Sequence, residues 1–568
     1  MSEPTYDVIV LGGGFAGCAL AAILAKQGLD VLVLEAREHP RFAIGESMIL
    51  ETSEVLRALG EIYDVPELAW FSSEAFLPEA GTSHGVKRHF GFMHHDVGQR
   101  HDPSRALQAV IPERPHGHEL HLYRQDADQR MMLAAIQHGA TVRQRAPVEH
   151  VATDGDGATV TLRGGERVSA DYVVDCSGFG SVLAKQEGLR DQELATHSRA
   201  LFTHVLGVPD VGTADPGSVP PGLPFQMAEG TLHHLFDGGW LWVIPFDNHR
   251  QATNPLCSIG ILLDPRVHPA REGVAAEQEV AELLARHPTI AAQLEGMVPV
   301  RPWVATQRLQ YGSSRVVGDR WCVLGHAAGF VDPLFSKGLY ASLAAAGTVA
   351  DLLITATETK DWSREAFLPL EQQTQAFVAA NDQLAATAYA SFRHPALWRA
   401  TSVLWLAGAY TELLKLHDVR VNAAGDRTAY RRGLNELRMV GGGFPAFERL
   451  SQQCAALVAA AEVGQEEAVA AQMTALIGAE EWMPNPFRAV LQGATSLPRR
   501  KVRVDVVRHG GFLGLGAYRA HFFRTRSAAV VVFEAVRQTL RYAPATLGVG
   551  RFRSRLIGRW RAVWTRPR

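Results

Sequence analysis

Residues 8–35 read VIVLGGGFAGCALAAILAKQGLDVLVLE, and this stretch decides the fold. Val8, Ile9, Val10 and Leu11 are an uninterrupted apolar run, the mark of a strand covered on both faces. Gly12, Gly14 and Gly17 follow at the spacing of a dinucleotide-binding turn, with Phe15 and Ala16 at the helix mouth. Gly12 permits the tight turn, Gly14 lets main chain approach a pyrophosphate, and Gly17 lets the next helix lie close to the strand. That helix is expected over about Ala16 to Lys26, stopping at Gly28. A second apolar strand, Val31 to Leu34, ends on Glu35, whose carboxylate can accept hydrogen bonds from both ribose hydroxyls of an adenosine. A lone Gly-x-Gly-x-x-Gly is a weak signal. Here strand, helix and distal acid all fall where the mechanism needs them, against the competing reading of a Gly-rich turn in an ordinary α/β domain.

At 568 residues the chain is too long for one simple core, and two or three packed lobes are expected. A hydrophobic content of 47% with 20% charged residues describes a globular protein. The net charge of −3 leaves no nucleic-acid footprint on the whole chain. Five scattered cysteines without Cys-x-x-Cys read as buried thiols, which favours a reducing cytoplasm. There is no long uninterrupted apolar run, so no membrane span is expected, and the N-terminus lacks a signal pattern. The tail from Arg551 to Arg568 holds seven Arg, Trp560 and Trp564. It reads as a solvated last helix or as a contact for a membrane surface or acidic partner.

Residues 1–194 are expected to form the nucleotide-binding region, with a loop-rich insertion at 66–125. Residues 195–310 should form an antiparallel sheet as a lid over the cofactor, interrupted by a helix at about 275–296. Residues 311–350 return to the nucleotide fold through a strand from Trp321 to Leu324, a Pro-containing loop and an Ala-rich helix from near Gly338. From 351 to 568 the chain reads as helical, with loops near 417–445 and 478–512, and no motif there attaches to chemistry.

Within this frame several residues stand out. Arg41, Gly45, Glu46 and Ser47 lead into a helix over roughly 50–60, as a ligand-edge loop or simply a capped helix start. Arg124, immediately before a helix from Asp126 to His138, could reach phosphate or ribityl oxygens. The strand from Tyr172 to Val174 ends in a turn with Asp175 and Gly178. GVKRHFGFMHH (85–95) reads as a strand with Phe90 and Phe92 on one face and Lys87 near its start. His94-His95 and His233-His234 invite a metal, but adjacent strand residues point to opposite faces, so none is expected.

Gly12-x-Gly14-x-x-Gly17, Gly45-Glu46-Ser47, Trp240-x-Trp242-x-Ile244-Pro245 and Phe330-x-x-Pro333-x-Phe335-Ser336-x-Gly338 together resemble the flavin-dependent halogenases. GVKRHFGF, YRQDAD, THSRALFTH, EGTLHH and GGWLWVIPF extend the likeness toward the pyrrole-chlorinating members. The implied fold is α/β: a Rossmann-like FAD-binding module of the flavin monooxygenase/halogenase type, an antiparallel β substrate lid and a mainly helical C-terminal region. The implied reaction oxidises chloride through a flavin C4a-hydroperoxide to hypochlorous acid. Lys87 then hands chlorine to an electron-rich aromatic ring, a pyrrole, an aminophenylpyrrole or a phenol, free or tethered to a carrier protein.

The resemblance makes Trp240, Trp242, Ile244 and Pro245 the wall between flavin and substrate, and the amides at Ser336, Lys337 and Gly338 the halide nest. FADH2 would come from a separate reductase. An aromatic core pair, a capped helix and an edge-strand lysine are the plain alternatives. Two positions depart from relatives of this fold. Gly325-His326 stands where many carry Gly-Asp, and Phe335 replaces a Glu of the tryptophan halogenases, which argues against tryptophan as substrate. An aromatic hydroxylase and a flavin- or carrier-binding accessory protein are the rival functions.

Overall fold

In the computed structural model the apolar run Thr5–Leu11 becomes the centre of an eight-stranded sheet. The structure describes residues 5–497 except 114, 115 and 424, together with 521, 522 and 537. The tail from Arg551 lies outside the described residues. Thr5–Leu11 pairs in parallel with Val31–Leu34 on one side and Arg167–Asp175 on the other. Thr141–Arg143 extends the first side, again in parallel. Arg167–Asp175 divides its free edge between partners. Its last residues pair in parallel with Trp321–Val323, and its first pair antiparallel with Ala158–Leu162, which continues to Val148–Thr153.

Val8, Ile9 and Val10 have no exposed surface, as expected of a strand covered on both faces. The helix Phe15–Lys26 packs against the helices Arg124–Gln137 and Gly338–Thr359. Gly17 is obligatory for that packing, since a Cβ would lie 2.3 Å from the Gly12 carbonyl oxygen. Gly12 itself has φ +99°, a conformation that favours glycine.

The second eight-stranded sheet runs Val298–Pro299, Arg199–Leu206, Cys257–Leu263, Gly239–Pro245, Thr231–Phe236, His89–His94, Ala106–Val110, with Val304–Ala305 also on Arg199–Leu206. The segment 66–125, expected to be loop-rich, therefore gives two strands to this sheet. One of them, His89–His94, pairs in parallel with Thr231–Phe236, so the sheet is not purely antiparallel. The strand expected over 85–95 is broken at Arg88, and Gly85–Lys87 pairs separately with Glu119–His121.

Both faces of this sheet are covered. Trp240, Trp242 and Ile244 face the main core, while Leu241 and Val243 face a smaller one. The smaller core is closed by Ala276–Ala285 and Pro288–Leu294, two helices where one was expected, because Pro288 cannot continue the first.

Among the described residues seven helices follow from Gly338: Gly338–Thr359, Arg364–Ser391, Pro395–Ala423, Arg427–Asn435, Pro445–Ala460, Glu466–Ala479 and Asn485–Leu491. The loop expected near 417–445 is largely helical, and that near 478–512 contains the helix Asn485–Leu491, its part from 498 onward lying outside the described residues. Polar residues misled the reading, because Asp418 and Arg420 point inward and are buried, with Arg420 Nη2 at 3.2 Å from Glu54 Oε2. Among the described residues Gly338–Thr359 alone has the length and apolarity of a membrane span, and 67% of its apolar window is buried inside the fold.

Candidate active site

A cavity of about 1040 Å³ opens where the two sheets and the helix Gly338–Thr359 meet. Its walls include Gly12, Gly14, Phe15, Ala16, Gly17, Glu35, Arg41, Gly45, Glu46, Ser47 and Arg124. Gly178, Gly325, His326, Pro333, Ser336, Gly338, Trp240, Trp242 and Ile244 complete the expected residues among its lining. Four expected residues, Lys87, Asp175, Pro245 and Lys337, stand behind that wall.

At the fingerprint turn the Glu35 carboxylate accepts from the Gly13 amide (2.8 Å), the Arg37 amide (2.9 Å) and Arg41 Nη2 (3.1 Å). Burial works to raise its pKa, but Arg41 and the two amides outweigh burial and hold the carboxyl below the usual range. Arg124 is the first residue of its helix rather than the one before it. Its guanidinium clamps Asp128 (2.7 Å) and the Ile44 and Gly45 carbonyls (2.7 and 3.1 Å), which holds the Gly45 loop in place. Glu46 is turned to His204 Nε2 at 2.7 Å. Two buried nitrogens on cavity residues, His326 Nε2 and Arg41 Nε, have no partner among the described residues. Burial pushes His326 down to about 4, so its imidazole is neutral at pH 7. A glycine-lined cleft with unpartnered ring and guanidinium nitrogens fits a large polar cofactor such as a dinucleotide.

Across the cavity, Trp240 and Trp242 lie with ring centroids 5.8 Å apart. Their indole N–H groups donate to Tyr389 Oη and Ser258 Oγ, each at 3.1 Å. Ser336 adopts φ +56° in the turn before the helix, and its amide donates to the Pro333 carbonyl at 2.9 Å.

Behind Ser47 lies Lys87, with no exposed surface. Its Nζ is 2.7 Å from Ser47 Oγ and 2.8 Å from the Met48 carbonyl, over the Phe90 ring at 3.3 Å. Burial pulls its pKa well below the ordinary lysine value, although the nearby Glu119 and Glu51 work in the other direction.

The family described as FAD binding domain matches residues 5–360. Monodechloroaminopyrrolnitrin halogenase PrnC of Pseudomonas fluorescens is 45% identical over 71% of this chain and 71% of its own length. Tetracycline 7-halogenase of Kitasatospora aureofaciens is 42% identical over 71% and 73%.

The chain belongs to the flavin-dependent halogenases.

The crystal structure of halogenase PltM in complex with phloroglucinol and FAD superposes with a TM-score of 0.80 at 34% identity, covering 86% of this chain and 99% of that one. Family membership makes this halogenase an FAD enzyme and sets aside the hydroxylase and accessory readings.

The halide nest was expected from main-chain amides, and the Lys337 ammonium stands behind the cavity wall. The group is buried against Glu412 (2.6 Å) and Glu51 (3.5 Å), so only the Lys337 backbone remains for an anion. The Ser336 amide is already committed to the turn. Asp175 accepts from the Ser177 and Leu183 amides and the Ser177 and Ser181 hydroxyls, so it braces the turn at Gly178 and is not positioned toward ligand. Pro245 contributes its carbonyl to His121 Nδ1 at 2.9 Å and does not line the cavity, whereas Trp240, Trp242 and Ile244 do.

Other participants were not legible in sequence. Glu119, directly opposite Lys87 on the neighbouring strand, is buried and bonded by the Ser53 hydroxyl, and burial pushes its pKa up to about 7. A carboxylate in an apolar strand was the available signal. The helices beyond residue 351 carry Tyr389, Trp405 and Glu412 to the site. Tyr389 holds Trp240, Trp405 stacks on Phe335 at 5.2 Å, and Glu412 holds Lys337. Phe335, in the place of the expected-absent Glu, is thus a core aromatic.

Proposed function

We propose that this halogenase chlorinates an electron-rich aromatic ring of the pyrrole or phenol class, with Lys87 as the amine that receives the oxidised halogen. The observation that carries this reading is the position of Lys87: fully buried, its basicity depressed, and one hydroxyl removed from the cofactor cavity. A neutral amine is a nucleophile toward hypohalous acid, and burial is the ordinary way to keep a lysine neutral near pH 7. Reduced FAD with oxygen supplies the oxidation of halide to hypohalous acid. Gly12, Gly14, Glu35, Arg41 and Arg124 would hold the nucleotide portion, and His326 and Pro333 would border the ring. The backbone of Lys337 and Gly338, at the N-terminus of Gly338–Thr359, would favour the halide, chloride or bromide.

Trp240, Trp242 and Ile244 would keep the organic ring from the flavin. The absence of a carboxylate at Phe335 favours a ring already activated by its own nitrogen or hydroxyl. FADH2 is expected from a separate reductase, and the substrate is a small aromatic, free or carrier-bound.

Lys87→Ala tests the reading. The variant should bind FAD with unchanged affinity and form no halogenated product from pyrroles or phenols supplied with a flavin reductase and halide. Halogenation at the wild-type rate would remove Lys87 from the reaction.

A further inference from the structure

Lys87 lies behind the cavity wall, whereas Ser47, Thr231 and Ser336 form part of it. Ser47 Oγ is 2.7 Å from Lys87 Nζ, 3.1 Å from Ser336 Oγ and 2.8 Å from Thr231 Oγ1. Thr231 Oγ1 is 2.9 Å from His121 Nε2, and His121 Nδ1 is 2.9 Å from the Pro245 carbonyl oxygen. The direction of every hydrogen bond in this chain follows from its last member. A carbonyl only accepts, so His121 Nδ1 carries the proton. Burial pushes the imidazole down to about 3, so it is neutral and its Nε2 accepts. Thr231 must then donate to His121, and Ser47 must donate to Thr231. The lone pairs of Ser47 Oγ are left to receive Lys87 N–H and the Ser336 hydroxyl. A neutral Lys87 spends its two N–H groups on Ser47 and the Met48 carbonyl, which leaves its lone pair unbonded.

We propose that Ser47 is the positioning residue through which hypohalous acid passes from the cofactor cavity to Lys87. The Thr231–His121–Pro245 chain locks its hydroxyl so that it always accepts from the lysine. A molecule of hypochlorous acid reaching Ser336 exchanges onto the same hydroxyl and meets the Lys87 lone pair. The N–Cl bond forms as O–Cl breaks, and the amine hydrogen leaves with the hydroxide as water. This inference rests on the role of Lys87 proposed above. It adds a hand-off point that a lysine opening directly onto the cavity would not need.

The test compares Ser47→Ala, Ser47→Thr and Thr231→Val with wild type. It measures FAD affinity by fluorescence, halogenated product per FADH2 oxidised, and hypohalous acid captured in solution by taurine. Ser47→Ala should bind FAD as wild type. Its product per flavin should fall on the order of ten- to a hundredfold, the effect of losing one hydrogen bond to a reacting group, with a matching rise in taurine chloramine. Ser47→Thr should restore product, and Thr231→Val, which removes only the lock, should leak to an intermediate degree. Unchanged product and leakage in both Ser47→Ala and Thr231→Val would overturn the inference. Loss of FAD affinity without leakage would also overturn it, making Ser47 a cofactor contact. Should Ser47→Ala fail to fold, Thr231→Val decides alone. Wild type that feeds taurine while Lys87→Ala keeps full product formation would instead overturn the lysine reading.

Discussion

The residue whose local sequence is least informative is Lys337. Its neighbours Ser336 and Gly338 place it in an anion-binding turn, yet its side chain is enclosed by Glu51 and Glu412. The carboxylates raise its pKa against the effect of burial, so it remains a cation inside the core. Removing one partner of such a group leaves charge buried without compensation, at a cost of about 3–5 kcal/mol. Lys337→Met should therefore lower stability by about that amount in urea titration. A halide-ligand role for the ammonium would instead show as a raised requirement for chloride with unchanged stability. Lys87 differs because its neighbours Ser47, Met48 and Phe90 provide no charge at contact distance, and burial dominates. The two lysines look alike in sequence and are separated by what three-dimensional packing sets beside them.

At the scale of elements, the strand Gly239–Pro245 shows how a cavity-lining indole is held in place. Trp242 pairs in register with Gly260 on the next strand, and a Cβ at Gly260 would fall 2.0 Å from the indole ring. The glycine makes room for the ring, and Ser258 anchors the indole N–H. Gly260→Ala should displace Trp242 and destabilise the protein by about 1–3 kcal/mol, as overpacking does. Near-ultraviolet circular dichroism would report the moved indole, and an unchanged spectrum with unchanged stability would refute the fit. The strand at 31–34 was legible because it is a bounded apolar run. The break at Arg88 was not, because it comes from two different partners: Glu119–His121 takes residues before it and Thr231–Phe236 those after it.

At the scale of the whole molecule, the fold buries a set of neutral imidazoles across the described residues. Burial lowers His89, His94 and His326 to about 4 and His121, His233 and His234 to about 3. Unfolded, each titrates near 6.5, so between that value and its folded pKa the unfolded chain binds more protons and stability falls as pH falls. Each group contributes about 2 kcal/mol of loss by pH 5, and together they rival the stability of a typical fold. The urea midpoint should drop from pH 6.5 to 5, the six rings outweighing Glu119, whose raised carboxyl works in the opposite direction and loses its contribution as pH rises through about 7. A flat profile through that window would contradict the burial of these rings. The same scale decides the role of the C-terminal helices, since Tyr389, Trp405 and Glu412 brace the indole, the Phe335 turn and Lys337 from up to 149 residues away in sequence.

Sequence by itself determined the nucleotide fold and the indole strand, because period, glycine spacing and short motifs are local properties of a chain, and the candidate lysine came from the resemblance to the halogenases. Only the tertiary structure decided which charges are paired, which hydroxyl stands between cavity and amine, and that distant helices complete the site. Those outcomes depend on burial and on contacts between segments far apart in sequence, which no local pattern encodes.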